Sequence, residues 1–133
     1  MTNHNSSATI VVVDDDPHVR RMLERLCRQE GYEVLVAEDG RAALGVIEGL
    51  QRPVDLLITD LRMPAMGGEE LLATLSDRQV VRNVLFITGL GHLYQPRRKD
   101  ILVLEKPFPT AALVARVREL LGPPGEKEGQ GLV

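Results

Sequence analysis

The sequence predicts an α/β fold, a doubly wound sheet of five parallel strands, and three observations lead there. Short runs such as Ile10-Val11-Val12-Val13, Leu56-Leu57-Ile58 and Val84-Leu85-Phe86-Ile87 do not alternate with polar residues, so they read as strands buried on both faces. Segments with apolar residues at helical spacing separate the strands, and that alternation is the pattern of a parallel sheet with right-handed crossovers. The strands also end in chemistry-bearing groups. Asp14, Asp60, Thr88 and Lys106 each follow a strand, and open α/β sheets bind ligands outside the carboxyl ends of their strands.

The elements follow in order. The first strand ends in Asp14-Asp15-Asp16, and Pro17 suits the first turn of a helix, where its missing N–H does no harm. Val19, Met22, Leu23, Leu26 and Cys27 recur at helical spacing, which puts Cys27 in the core, and Gly31 stops that helix. His18 faces solvent. Glu33 to Ala37 is a short strand. Asp39 is the N-cap of a second helix carrying Ala42, Ala43, Val46, Ile47 and Leu50. Pro53 separates it from the central strand ending at Asp60. Pro64 and Gly67-Gly68 mark the loop beyond, and a third helix covers Glu69 to Leu75, with two acids near its positive N-terminus. The fourth strand ends at Thr88-Gly89, and residues 90–100 have poor periodicity where a fourth helix is expected to be short or irregular. Ile101 to Leu104 is the fifth strand. The last helix runs from Thr110 to Leu121, with Leu113, Val114, Val117, Leu120 and Leu121 inward.

A chain of 133 residues suits one domain. Its expected limits are residues 9–121, between a disordered tail over 1–8 and a flexible tail or linker stub over 122–133. No room is left for a DNA-binding output domain, so the expectation is a stand-alone regulator or a piece of a larger protein. The net charge of −3 argues against a nucleic-acid partner. No apolar run reaches the ~18 residues of a membrane span. The single cysteine fits a reducing, cytoplasmic compartment.

With strand order 2-1-3-4-5, strands one and three flank the point where the winding reverses. Neighbouring strands are ~4.8 Å apart, so Asp14, Asp15 and Asp60 crowd one another. At an effective dielectric near 20, like charges 4 Å apart repel by roughly 4 kcal/mol. A bound cation would remove that cost. Mg²⁺, which takes one or two carboxylates with water and phosphate oxygens, fits the cluster. Such a site can hold a phosphoryl group, with Lys106 as a second positive charge and Thr88 as a hydroxyl donor. An Asp carboxylate can itself accept the group as an acyl phosphate.

Four motifs then identify a resemblance: Val-Val-Asp14-Asp15, Asp60 with Met63-Pro64-x-Met66-x-Gly68, Ile-Thr88-Gly, and Lys106-Pro107-Phe108. In this order at strand ends they resemble the response-regulator receiver domain, the flavodoxin-like (βα)5 phosphoacceptor module of two-component signalling. The likeness covers roughly Thr9 to Leu121. It implies Asp60 as the phosphorylated aspartate, Asp15 as the direct Mg²⁺ ligand and Asp14 as an acid acting through metal-bound water. The Arg62 backbone carbonyl completes the metal shell, Thr88 and Lys106 meet the phosphoryl group, and Lys106-Pro107 is cis. The implied donor is a histidine kinase or histidine phosphotransfer protein. The output is contact with a further protein, and the domain is not an enzyme beyond its own phosphorylation and dephosphorylation.

Three departures stand out. Val103 occupies the position where such domains carry a switch aromatic, the interval from Thr88 to Lys106 is short, and Gly67 replaces a frequent Asp or Ser, which Gly tolerates as a helix cap. Without a ring to move, Val103 stays in the core and the signal is expected to leave through the loop over residues 89–100. Two other readings stay open. One is a receiver-fold scaffold that binds partners without phosphorylation. The other is a haloacid-dehalogenase-type phosphatase with Asp14 as nucleophile in Asp14-x-Asp16, which leaves Asp60 and its loop unexplained.

Overall fold

Strands β1 (Thr9–Val13), β2 (Glu33–Ala37), β3 (Leu56–Asp60), β4 (Val84–Thr88) and β5 (Ile101–Glu105) form one parallel sheet in the order β2-β1-β3-β4-β5. The structure, a computed structural model, describes residues 8–76, 79–89 and 101–122. Helices α1 (Pro17–Gln29), α2 (Gly40–Gly49), α3 (Gly68–Ser76) and α4 (Thr110–Leu121) lie among those residues. Strand order and parallel sense are as the sequence predicts. The expected fourth helix, residues 90–100 of the 89–100 loop assigned to signal output, and residues 1–7 and 123–133 of the two tails lie outside the described residues.

The unbroken apolar runs are explained by cover on both faces of the sheet. One face sets Ile10, Val12, Leu56, Ile58, Leu85 and Ile87 against Leu23 and Cys27 of α1 and Leu113 and Val117 of α4. The other sets Val11, Val13 and Leu57 against Ala43 and Ile47 of α2 and Leu71 and Leu75 of α3. Each fully buried Leu or Ile contributes about 2 kcal/mol of apolar transfer, so this two-sided core holds the fold without a Trp. Strand β2 is at one sheet edge, which is why it mixes buried Val34 and Ala37 with exposed Glu33 and Val36. Cys27 lies in the core, and burial pushes its thiol up to about 12, so it stays protonated.

Local signals end the helices where expected. Pro17 opens α1, with Asp16 as N-cap accepting the His18 amide at 2.9 Å. Gly31, at φ 97, ends the same helix. Asp39 caps α2 by accepting the Ala42 amide at 2.8 Å. Residues just outside the expected limits of 9–121 also make contacts. Ala8, placed in the tail by the sequence, is buried, and its carbonyl accepts the Glu33 amide at 3.0 Å. At the other end the Gly122 carbonyl accepts the Tyr32 hydroxyl at 2.7 Å. Both residues are tied to the sheet core by hydrogen bonds that no sequence pattern marks.

Candidate functional site

The sheet register brings the predicted groups together. Val13 pairs with Thr59, so Asp14 and Asp60 follow side by side on adjacent strands. Asp60 pairs with Ile87, and Thr88 with Glu105, one residue before Lys106. Because strand side chains alternate, Asp14, Asp60 and Lys106 share parity with the face covered by α1 and α4. Thr88 shares parity with Val84 and Phe86 on the other face, and it is buried.

Lys106 binds the two strand-end acids together. Its Nζ donates to Asp60 Oδ2 at 2.7 Å and to Asp14 Oδ2 at 3.3 Å. Its backbone amide donates to the Thr88 carbonyl at 2.9 Å, which extends the β4–β5 ladder by one bond. The Lys106-Pro107 peptide is cis, as the resemblance implies. Asp14 is wholly buried. Its Oδ1 accepts the Asp16 amide at 2.9 Å, and the Arg20 guanidinium donates to its backbone carbonyl at 2.8 Å. Asp60 Oδ1 accepts the Arg62 amide at 3.2 Å.

Electrostatics follow from this packing. Burial raises the Asp14 carboxyl above the usual carboxylate range, and the Asp60 charge adds to the shift, against the Asp16 amide and Lys106. For Lys106, burial pulls downward, but the Asp60 hydrogen bond and the charges of Asp14 and Asp60 outweigh it, so its ammonium is held above the ordinary lysine range. Carboxylate oxygens of Asp14, Asp15 and Asp60 lie within 4.8 Å of one another. At that separation each like-charge pair costs roughly 3.5 kcal/mol for an effective dielectric near 20. Lys106 offsets only part of this. Three hard oxygen donors of net negative charge fit Mg²⁺, the cation that prefers such ligands.

The loop after Asp60 is shaped by close backbone contacts. A Cβ on Gly68 would lie 2.4 Å from the Asp60 carbonyl oxygen, and one on Gly67 would lie 2.6 Å from the Leu61 carbonyl oxygen. Gly67 is therefore required, a correction to the expectation that it is only tolerated as a cap. Ala65 sits at φ 68, which is strained for a residue with a side chain. The Met66 carbonyl accepts the Gly40 amide of α2 at 3.1 Å. Gly68→Ala is expected to lower stability by about 2–3 kcal/mol, because the clash is with backbone that cannot swing aside. Urea unfolding checks this; a change within error would mean that α3 shifts freely.

Other predicted residues fall as follows. His18 is exposed. Val103 is half-buried beside Val84, Phe86 and Ile101 rather than enclosed, because β5 is the sheet edge. The Asp16 carboxylate is used as a helix cap and Asp14 is sealed beneath Lys106, an arrangement that suits neither for a phosphatase of the Asp14-x-Asp16 kind. Arg20 and Gly40 were missed. Arg20 is one of several arginines on α1 and nothing in spacing singles it out. No helix among the described residues is long and apolar enough to cross a membrane.

An acid cluster crossed by one lysine at the switch point of a 2-1-3-4-5 sheet defines the class as flavodoxin-like α/β proteins with a charged strand-end site. The description "Response regulator receiver domain" matches residues 10–118, and the chain belongs to that family. It is 33% identical over 121 residues to C4-dicarboxylate transport transcriptional regulatory protein DctD of Pseudomonas aeruginosa, covering 88% of this chain and 26% of that protein. It is 36% identical to transcriptional regulatory protein CpxR of Klebsiella pneumoniae, covering 84% and 48%. The chain thus spans half or less of the length of these relatives. Among solved structures it is similar to the receiver domain from hybrid histidine kinase CckA, at 35% identity and TM-score 0.73, covering 86% of this chain and 99% of that one. Receiver domains are phosphoacceptors rather than typical enzymes. They bind Mg²⁺ at an acidic pocket and interact with histidine kinases or phosphotransfer proteins.

Proposed function

We propose that this domain accepts a phosphoryl group on Asp60 from the phosphohistidine of a histidine kinase or phosphotransfer protein, and signals by contact with a further protein. The observation that carries the reading is the Lys106 ammonium held between Asp60 at 2.7 Å and Asp14 at 3.3 Å. Asp14, Asp15 and Asp60, with the Arg62 carbonyl, would hold Mg²⁺. When bound, the ion neutralises charge on the phosphoryl oxygens.

The chain's own residues do the rest. An Asp60 oxygen attacks phosphorus, a P–O bond forms, and the P–N bond to the donor imidazole breaks. The Arg62 amide holds Asp60 Oδ1, so the carboxylate does not rotate away. Lys106 already has its positive charge at Asp60 Oδ2 and can follow the charge onto the phosphoryl group. Thr88 ends β4 one residue beyond Ile87, the strand partner of Asp60, and would supply a hydroxyl from there. Intact-mass measurement after incubation with Mg²⁺ and acetyl phosphate tests the reading. One labile phosphoryl adduct is expected, and chelation of Mg²⁺ should remove nearly all of it. An unmodified chain in Mg²⁺ would favour a scaffold that is not phosphorylated.

A further inference from the structure

We infer that Arg20 is a positioning residue for the cation site, acting through the Asp14–Asp15 peptide; this rests on the Mg²⁺-dependent reading above. The Arg20 amide donates to Asp16 O at 2.9 Å in the first turn of α1. Its guanidinium reaches back over that turn and donates to the Asp14 carbonyl at 2.8 Å. The Asp14 carbonyl and the Asp15 amide belong to one rigid peptide unit. Holding the carbonyl therefore fixes the plane from which the Asp15 side chain leaves.

Asp15 needs that support. Its neighbours in the cluster are locked by their own side chains: Asp14 by Lys106 and the Asp16 amide, Asp60 by Lys106 and the Arg62 amide. Asp15 is exposed, and among the described residues no hydrogen bond or ion pair holds its carboxylate. Its approach to within 4.8 Å of the other two acids is therefore set by the backbone; the Asp14 carboxylate holds the peptide after Asp15 through the Asp16 amide, and Arg20 holds the peptide before it. Groups that orient metal ligands without touching the ion commonly change affinity ten- to a hundredfold when removed.

Charge and position predict opposite signs, which makes the inference testable. Arg20 is a cation near a cation site, so electrostatics alone says that its loss tightens Mg²⁺ binding. Positioning says that its loss weakens binding. The experiment is an NMR titration of the folded protein with Mg²⁺ for wild type, Arg20→Met and Arg20→Lys. Arg20→Met keeps the aliphatic stem and removes the donors; about tenfold weaker binding is expected. Arg20→Lys keeps a donor and should recover most of the affinity. Without Mg²⁺, the Asp15 and Asp16 amides should exchange hydrogen faster in Arg20→Met than in wild type, while the β1 amides are unchanged. If Arg20→Met does not fold, Arg20→Gln is read in the same way. Equal or tighter Mg²⁺ binding in the variants would overturn the inference alone. Wild-type protein that binds no Mg²⁺ would overturn the functional reading with it.

Discussion

Asp60→Asn is expected to abolish the phosphoryl adduct formed with acetyl phosphate and Mg²⁺ while leaving the fold intact. Asparagine keeps the shape of the side chain, and its oxygen can still accept the Arg62 amide that holds Asp60 at 3.2 Å. It lacks the nucleophilic carboxylate. No neighbouring acid is placed to substitute. Asp14 is sealed and pinned by Lys106 and the Asp16 amide, and Asp15 leaves from the loop rather than from a strand end. Removing one of three crowded negative charges should also raise the stability of the protein without Mg²⁺, by up to about 1–2 kcal/mol once solvent screening is allowed for. Intact mass reads the first effect and thermal unfolding the second. An adduct of wild-type yield in Asp60→Asn would move the acceptor elsewhere and end this assignment.

Lys106→Met is expected to lower stability at neutral pH by about 3 kcal/mol, the low end for breaking a buried ion pair by removing one partner. Methionine keeps the length of the stem, so packing is largely preserved. What is lost is the charge facing Asp14, which is wholly buried, and Asp60, which is nearly so. The sign with pH follows from the shifts. Lys106 has a raised folded-state value, so its contribution is present below the ordinary lysine range and is lost as pH rises through the higher one. Asp14 is also raised, so the folded state holds its proton more tightly than the unfolded chain does. Stability therefore falls as pH climbs through that window.

Without Lys106 the Asp14 window moves further up. The deficit of Lys106→Met should then be largest at neutral pH and shrink on acidification as Asp14 takes up its proton. Adding Asp14→Asn should recover most of the loss, because the two residues are in contact and their effects do not add. Urea unfolding at several pH values measures all of this. A deficit that is constant with pH, and unchanged in the double variant, would mean that the lysine acts through packing alone.

The sequence by itself determined the sheet and the identity of its strand-end groups. Unbroken apolar runs have a single stable use, burial on both faces, and the helices between them enforce parallel crossovers. That is why β1 through β5, the helix start at Pro17, the cap at Asp39 and the stop at Gly31 were legible. So were the acids and Lys106, because each ends a run whose length is set by its burial. Tertiary structure decided what depends on distance between segments far apart in the chain. Contacts between distant segments showed that Ala8 is buried beside β2 and that Gly122 is held by the Tyr32 hydroxyl. The approach of β3 to α3 showed that Gly67 and Gly68 have no room for a side chain, and the loop carrying Met66 turned out to rest on Gly40. The lysine's choice of both Asp14 and Asp60, and the grip of Arg20 on the Asp14 carbonyl, are likewise invisible in spacing. A sequence records which groups are present at strand ends. Which oxygen each donor reaches is fixed only when the register and the helix packing place them within about 3 Å, the range over which a hydrogen bond has force.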